Sequence, residues 1–307
     1  MSRFLGIDLG GTNIKGLVLD RPDDRVASSS VIGEADVCTH AQLGPDAVTA
    51  RIADLGRQLI AEHGPVDAAG VGVPGLFDDD AGTILLFPNL PGPWRGQPLP
   101  ERLRHAWGVP VSLINDARAF TLAEATLGAA AGRSTVVCVT LGTGIGGGVV
   151  VDGRLRSGPH GRAGEIGHQV IVPGGPPCGC GNSGCVESLA RADVLCAAAG
   201  TRTARQAYDA ARAGDPVARA AVESVARHLG LALGNLVTVL IPDRIVIGGG
   251  IAGAGEELLG PLREAIAATA VLVPQDWYDV VPASLGWRAG SVGAAVWAGE
   301  SARRPRD

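Results

Sequence analysis

The chain has 307 residues, enough for two domains and a sizeable core; 46% of it is hydrophobic and only 4% aromatic. A net charge of −5, with no basic run ahead of the ArgArgProArg tail, argues against nucleic acid as a partner. No apolar run reaches the roughly 18 residues of a membrane span, and MetSerArgPheLeuGlyIleAspLeuGlyGly reads as strand and turn and not as a signal peptide, so a cytoplasmic protein is expected.

In chain order, Arg3–Leu9 is an apolar strand stopped by Gly10-Gly11, Ile14–Asp20 is a second strand after a tight turn, and Arg25–Ile32 reads as a third. Pro45–His63 has helical spacing, with Val48, Ile52, Leu55 and Leu59 on one face. Asp67–Val73 is a buried strand ending at Pro74-Gly75 and Leu99–Trp107 is a helix. Val109–Ile114 is a strand with Asn115-Asp116 at its C-terminal end, and Ala117–Leu127 is the next helix. The pattern restarts with a strand over Thr135–Leu141, a turn at Gly142–Gly144 and a strand over Gly146–Val151. Residues 153–187 are irregular and rich in Gly, Pro and Cys. Ser188–Gly200 and most of Thr203–Leu240 are helical, and a buried strand over Arg244–Ile247 opens into Gly248-Gly249-Gly250. Gly255–Thr269 and a stretch from Ser291 are the last helices. Strands alternating with helices define an α/β protein. Segments 10–20 and 142–152 align Gly10 with Gly142, Gly16 with Gly148 and Asp20 with Asp152, each as strand, glycine turn, strand. This reads as an internal duplication and predicts two similar lobes with a cleft between them.

AspLeuGlyGlyThrAsnIleLys (8–15) leads from strand into strand, whereas a P-loop or a dinucleotide fingerprint leads into a helix. Its glycines bare backbone N–H groups that suit phosphate oxygens, Thr12 adds a hydroxyl, and Asp8 at a strand end suits Mg²⁺ held through water. An ordinary hairpin turn uses the same residues. LeuGlyThrGlyIleGlyGlyGly (141–148) repeats the device, and Gly248-Gly249-Gly250 is a third glycine site where a flat base can lie on backbone. Three such sites together favour nucleotide binding. Lys15, the one lysine among 26 basic residues, is either functional or a chance survivor of an arginine-biased composition. Asn115-Asp116 offers a helix N-cap or, at a strand's C-terminal end, a carboxylate that accepts a proton from an attacking hydroxyl.

His168, Cys178, Cys180 and Cys185 supply one imidazole and three thiols, the donor set of a four-coordinate structural Zn²⁺. A disulfide fits less well, because Cys178 and Cys180 are too close along the chain and a cytoplasmic protein stays reduced. A nucleic-acid-binding zinc knuckle lacks its basic residues. Cys38, Cys138 and Cys196 read as small buried residues or bystanders.

GIDLGGTNIKG, VTLGTGIGGG, GEIGH, CGCGNSGCVE and IVIGGG, in this order, resemble the ROK family of bacterial sugar kinases and sugar-responsive repressors, from about Phe4 to Ala298. The resemblance implies an α/β, two-lobed actin/hexokinase-like fold, each lobe on a ribonuclease-H-like mixed sheet, with an inter-lobe cleft and a small zinc-bound loop. The small lobe is expected over 1–116 plus 290–307, and the large one over 117–289 with the zinc loop at 168–185. It also implies ATP-dependent phosphorylation of a hexose, Mg²⁺ with the ATP, and a homodimer or homotetramer. The first phosphate hairpin starts at residue 8, which leaves no room for a repressor's helix-turn-helix domain and favours a kinase over a non-catalytic sugar-binding regulator. Residue by residue, Asp116 matches the base that takes the proton of the sugar 6-hydroxyl. Asn115, Asn89 and Gly75 match sugar contacts, and Glu165, His168 and Glu187 match residues that hydrogen-bond the remaining hydroxyls. Asp8, Gly10, Gly11, Thr12 and Asn13, with Lys15, Thr143 and Gly144, match the phosphate cradle, and Gly249 the adenosine wall. ValProGlyLeuPhe and PheProAsnLeuProGlyProTrp point to glucose ahead of N-acetylglucosamine, N-acetylmannosamine or fructose. ATP is expected ahead of polyphosphate, a long polyanion that favours a basic groove.

Overall fold

The computed structural model describes residues 2–21, 29–78, 81–88, 90–250 and 254–303. They form two compact units: Met1–Ala131 with Ser157–Arg162 and Trp287–Asp307, and Gly132–Arg156 with Ala163–Gly286.

The first unit holds β1 (Ser2–Leu9), β2 (Asn13–Arg21), β3 (Ser30–Cys38), α1 (Pro45–His63), β4 (Ala68–Val73), a small hairpin of β5 (Leu76–Asp78) and β6 (Thr83–Leu86), α2 (Leu99–Trp107), β7 (Val111–Asn115), α3 (Asp116–Thr126) and the C-terminal helix Ala289–Ser301. Its main sheet runs β3-β2-β1-β4-β7; the β1–β2 and β2–β3 pairs are antiparallel and the β1–β4 and β4–β7 pairs parallel. Alternation along β1 sorts its side chains onto two faces. Ile7 joins a core with Val48, Ile52, Leu55 and Leu59 of α1. On the other face Gly6 and Gly70 have no Cβ, because one at either position would collide with the backbone of the C-terminal helix, at Ser291 and Ala294 respectively. Trp297 locks that helix by donating its indole N–H to the Leu113 carbonyl at 2.8 Å.

The second unit holds β8 (Val136–Leu141), β9 (Ile145–Val151), β10 (Arg154–Leu155), α4 (Val186–Ala190), α5 (Ala192–Ala199), α6 (Ala204–Arg212), α7 (Pro216–Leu240), β11 (Arg244–Gly248), α8 (Glu256–Thr269) and β12 (Asp279–Pro282). Its sheet runs β10-β9-β8-β11-β12, with β8–β9 and β9–β10 antiparallel and β8–β11 and β11–β12 parallel. Position for position this is the order and polarity of the first sheet, so the duplication expected from two glycine segments extends over five strands. The register alters its detail. Leu9 pairs with Ile14, and Leu141 with Ile145, so the second turn is one residue shorter. Gly16 therefore corresponds to Gly147 and not to Gly148. Asp20 has no counterpart in Asp152, which occupies the tight turn between β9 and β10 at φ 53°.

Other differences have local causes. The third strand is Ser30–Cys38; of the expected stretch 25–32, residues 25–28 lie outside the described residues. It is an edge strand carrying Glu34 and Asp36, and edge strands are protected by such charges, which make them read as loop. Ser188–Gly200 is not one helix: Arg191 is extended, at φ −72° and ψ 167°, and α5 restarts beyond it with Ala192 donating to the Gly142 carbonyl at 3.0 Å. The expected boundary after Asp116 falls at the first residue of α3. The compact unit continues to Ala131, since Gly293 of the C-terminal helix lies so close to the Ala119 backbone of α3 that a Cβ would collide with it. Among the described residues, no helix is long and apolar enough to cross a membrane.

Candidate functional site

In the first unit the parallel strands β1, β4 and β7 end side by side: Asp8 pairs with Gly72, and Val73 with Asn115. This is the sheet edge where α/β folds place ligands. Asn115, and not Asp116, caps α3; its Oδ1 accepts the N–H groups of Ala117 at 3.1 Å and Arg118 at 3.3 Å, and its amide donates to the Gly75 carbonyl at 3.4 Å. The capping role thus passes to the neighbour, and Asp116, the first residue of α3, is exposed. One of its oxygens accepts from the Ala117 N–H at 2.8 Å. Asn89 lies outside the described residues.

Gly10 closes the first hairpin by donating to the Asn13 carbonyl at 3.0 Å, leaving Gly11 and Thr12 exposed at its tip. Asp8 and Lys15 are cross-strand partners at its base, on the face covered by the C-terminal helix. Gly290 in the first turn of that helix leaves the space its own side chain would need to the Asp8 carboxylate. Burial pushes the Asp8 carboxyl above its usual range, and Lys15 partly opposes the shift. A cation next to this carboxylate relieves the same cost, so Asp8 suits a water-held Mg²⁺.

In the second unit Gly142 donates to the Gly144 carbonyl at 3.0 Å, with Thr143 exposed between them. Gly249 follows β11 at φ 88°, pressed so closely on the Leu141 backbone that a Cβ would collide with it. Thr143, Gly144 and Gly249 therefore meet at the end of the central strand β8. Equivalent places in the two sheets carry different chemistry. Where the first has Asp8 opposite Lys15, the second has Thr140 opposite Gly146.

The His/Cys cluster is assembled as expected. The candidate ligand atoms of His168, Cys178, Cys180 and Cys185 all lie within 4.8 Å of one another. The Cys180 and Cys185 sulfurs are 3.7 Å apart, and the Cys178 sulfur is 3.6 Å from His168 Nδ1. A tetrahedral zinc with ordinary Zn–S and Zn–N bonds has S···S edges of about 3.8 Å and S···N edges of about 3.6 Å, so these residues fit that ion. All three thiols are free. Burial, reinforced by Cys180 and Cys178, pushes the Cys185 thiol up to about 12, whereas the Asn182 backbone draws Cys180 down. His168 turns Nε2 toward Glu165, with a carboxylate oxygen 3.9 Å away. Glu187 stands beside the cluster in the first turn of α4.

Of the sequence-derived candidates, Gly75, Asn115, Asp116, Asp8, Lys15 and the first hairpin share the first unit. Glu165, His168, Glu187, the cysteines, Thr143, Gly144 and Gly249 share the second. Two contributors left no sequence signal. Thr39, fully buried just beyond β3, donates its hydroxyl to the Gly10 carbonyl at 2.7 Å, and its N–H to the Thr12 carbonyl at 2.7 Å. A lone threonine after an edge strand carries no motif. Gly290 is one glycine among 46.

Two mixed five-stranded sheets of one strand order, each ending its central strand in a glycine hairpin, define a duplicated α/β fold of the actin and hexokinase class. Within that class the chain belongs to the ROK family, whose model matches residues 4–301. It is 35% identical to a glucokinase of Halalkalibacterium halodurans, over 94% of this chain and 93% of that protein. Among solved structures it is similar to the ROK hexokinase of Thermus thermophilus, with a TM-score of 0.87 and 36% identity over 98% of this chain and 99% of that one. A ROK glucokinase of Streptomyces griseus in complex with glucose and AMPPNP has a TM-score of 0.77 and 32% identity, over 97% of this chain and all (100%) of that one.

Proposed function

We propose that the chain is an ATP-dependent hexose kinase that transfers the γ-phosphate to the 6-hydroxyl of glucose, with Asp116 as the base. The observation that carries this reading is the pair of glycine hairpins, 10–13 and 142–144, each at the end of the central strand of its own sheet. The glucokinase of H. halodurans and the glucose- and AMPPNP-bound S. griseus enzyme support it, each about one-third identical to this chain.

Phosphoryl transfer passes through a loose transition state, so positioning and charge neutralisation supply most of the rate. Backbone N–H groups of Gly11, Asn13 and Gly144, with the hydroxyls of Thr12 and Thr143, hold the phosphates, while Gly10, whose N–H closes the turn on Asn13, keeps the first hairpin in shape. Lys15 adds positive charge, and Gly249 offers a flat wall to the adenine. Mg²⁺, when bound with ATP near Asp8, neutralises phosphate charge. Asn115, Asn89, Gly75, Glu165, His168 and Glu187 orient the sugar, and the Asp116 carboxylate accepts the proton of the attacking hydroxyl. His168, Cys178, Cys180 and Cys185 would hold a structural zinc, which would fix the His168 ring beside the sugar-binding residues. The homodimer or homotetramer expected by analogy is checked by light scattering.

The test is sugar-phosphate formation with Mg-ATP, or with polyphosphate, across glucose, N-acetylglucosamine, N-acetylmannosamine and fructose. Turnover is expected to be fastest with glucose and ATP. Turnover confined to an N-acetylhexosamine overturns the glucose assignment, and sugar binding without turnover on any member makes the protein a regulator.

A further inference from the structure

Glu187 occupies a position that a sugar contact alone does not explain. It follows Cys185 by two residues, in the first turn of α4. Its Oε2 accepts the backbone N–H of Ile145 at 2.9 Å, and its Oε1 is 3.9 Å from the Cys178 sulfur. Ile145 is the first residue after the 142–144 turn. Gly144 is so near that a Cβ there would sit 2.7 Å from Oε2. One carboxylate therefore spans from the His/Cys cluster to the second glycine hairpin.

We infer that Glu187 is a positioning residue for the nucleotide-phosphate hairpin and couples the order of the metal-holding loop to nucleotide affinity. The inference rests on the kinase reading of that hairpin. Glycine-rich turns lose much conformational freedom when they order around a ligand. The Gly142 to Gly144 hydrogen bond closes the turn, and the Ala192 N–H donated to the Gly142 carbonyl ties its leading end to α5. The Glu187–Ile145 bond ties its trailing end, and a charged acceptor makes that bond one of the stronger kind. Cys178 and Cys185 both belong to the cluster, so a metal that holds them also holds the Glu187 carboxylate in register with Ile145.

The experiment omits sugar throughout, which removes any effect through sugar binding. The metal-loaded protein and its Glu187→Gln and Glu187→Ala variants are titrated with Mg-AMPPNP by calorimetry. Glutamine keeps an oxygen that accepts the Ile145 N–H; alanine does not. Glu187→Ala is expected to weaken nucleotide binding about tenfold, the scale of one charge-assisted hydrogen bond, while Glu187→Gln stays within about threefold of wild type. Equal affinity in all three proteins overturns the inference, as does an equal loss in both variants. Amide exchange on the wild-type chain tests it even where the alanine variant fails to fold. The Ile145 amide is expected to be protected and to exchange faster once a chelator strips the metal; unchanged exchange overturns the coupling. Wild-type protein that binds no Mg-AMPPNP overturns the kinase reading instead, and exchange at Ile145 still reports on the Glu187 tie.

Discussion

Thr39→Val separates the first hairpin's anchoring from its own sequence. Valine has nearly the shape of threonine, and the site is fully buried, at 0% exposure, so the core stays filled. What disappears is the 2.7 Å hydroxyl bond to the Gly10 carbonyl; the Thr39 N–H still reaches the Thr12 carbonyl. Losing one buried donor costs about 1–2 kcal/mol. If that cost falls on the hairpin, its binding-competent form becomes less populated and the apparent Kd rises by the same factor, roughly five- to thirtyfold. Calorimetry with Mg-AMPPNP and, separately, with glucose reads the two sites apart. Nucleotide affinity should fall within that range and glucose affinity stay put, with Thr39→Ser restoring the nucleotide site. Wild-type nucleotide affinity in Thr39→Val, or equal weakening of both ligands, would refute the reasoning.

Asp116→Asn keeps the shape of a side chain that does not cap its helix, so sugar binding should survive while turnover falls by about 10²–10⁴, measured by coupled assay. Asp8→Asn is expected to stabilise the chain. Burial raises the Asp8 carboxyl, so its ionised form costs folding energy, a cost that is absent at acid pH and grows as pH rises through the folded pKa. The melting temperature of Asp8→Asn should exceed that of wild type at pH 7 and converge with it toward pH 4, while Mg-ATP turnover is lost; equal melting at both pH values would contradict this. Cys180→Ser removes one of four donors and should lower bound zinc by elemental analysis and weaken glucose binding together. Full metal content with normal glucose affinity would separate the loop from the sugar site.

What the sequence makes legible follows from where the information sits. Largely buried strands next to glycine, such as β1, β4, β8 and β11, announce themselves through their apolar runs. The cysteine cluster is legible because its four candidate ligands lie within 18 positions, His168 to Cys185, and their chemistry is distinctive. Two of the edge strands are hidden: β3 carries Glu34 and Asp36 and β12 is four residues ending in Pro282, so neither shows a long apolar run. The register shift between the two hairpins is hidden as well. Glycines at 146, 147 and 148 are interchangeable to an alignment, and only strand pairing selects Gly147. Thr39 and the Ile145 tie to Glu187 join residues 29 and 42 positions apart through single hydrogen bonds, a kind of contact that leaves no periodicity to read.

The C-terminal helix has a further consequence, for the order in which the chain can fold. It covers one face of β1 and β4 in a unit whose other main segment ends at Ala131. On a ribosome adding 5–20 residues per second, that face waits about 8–30 s for its cover, while roughly 160 further residues are made. The second unit, whose strands and helices are complete by Gly286, can close first. Residues 289–301 then act as the last piece of the first unit, and a ribosome stalled shortly before them leaves a chain with one finished half and one sheet open to aggregation.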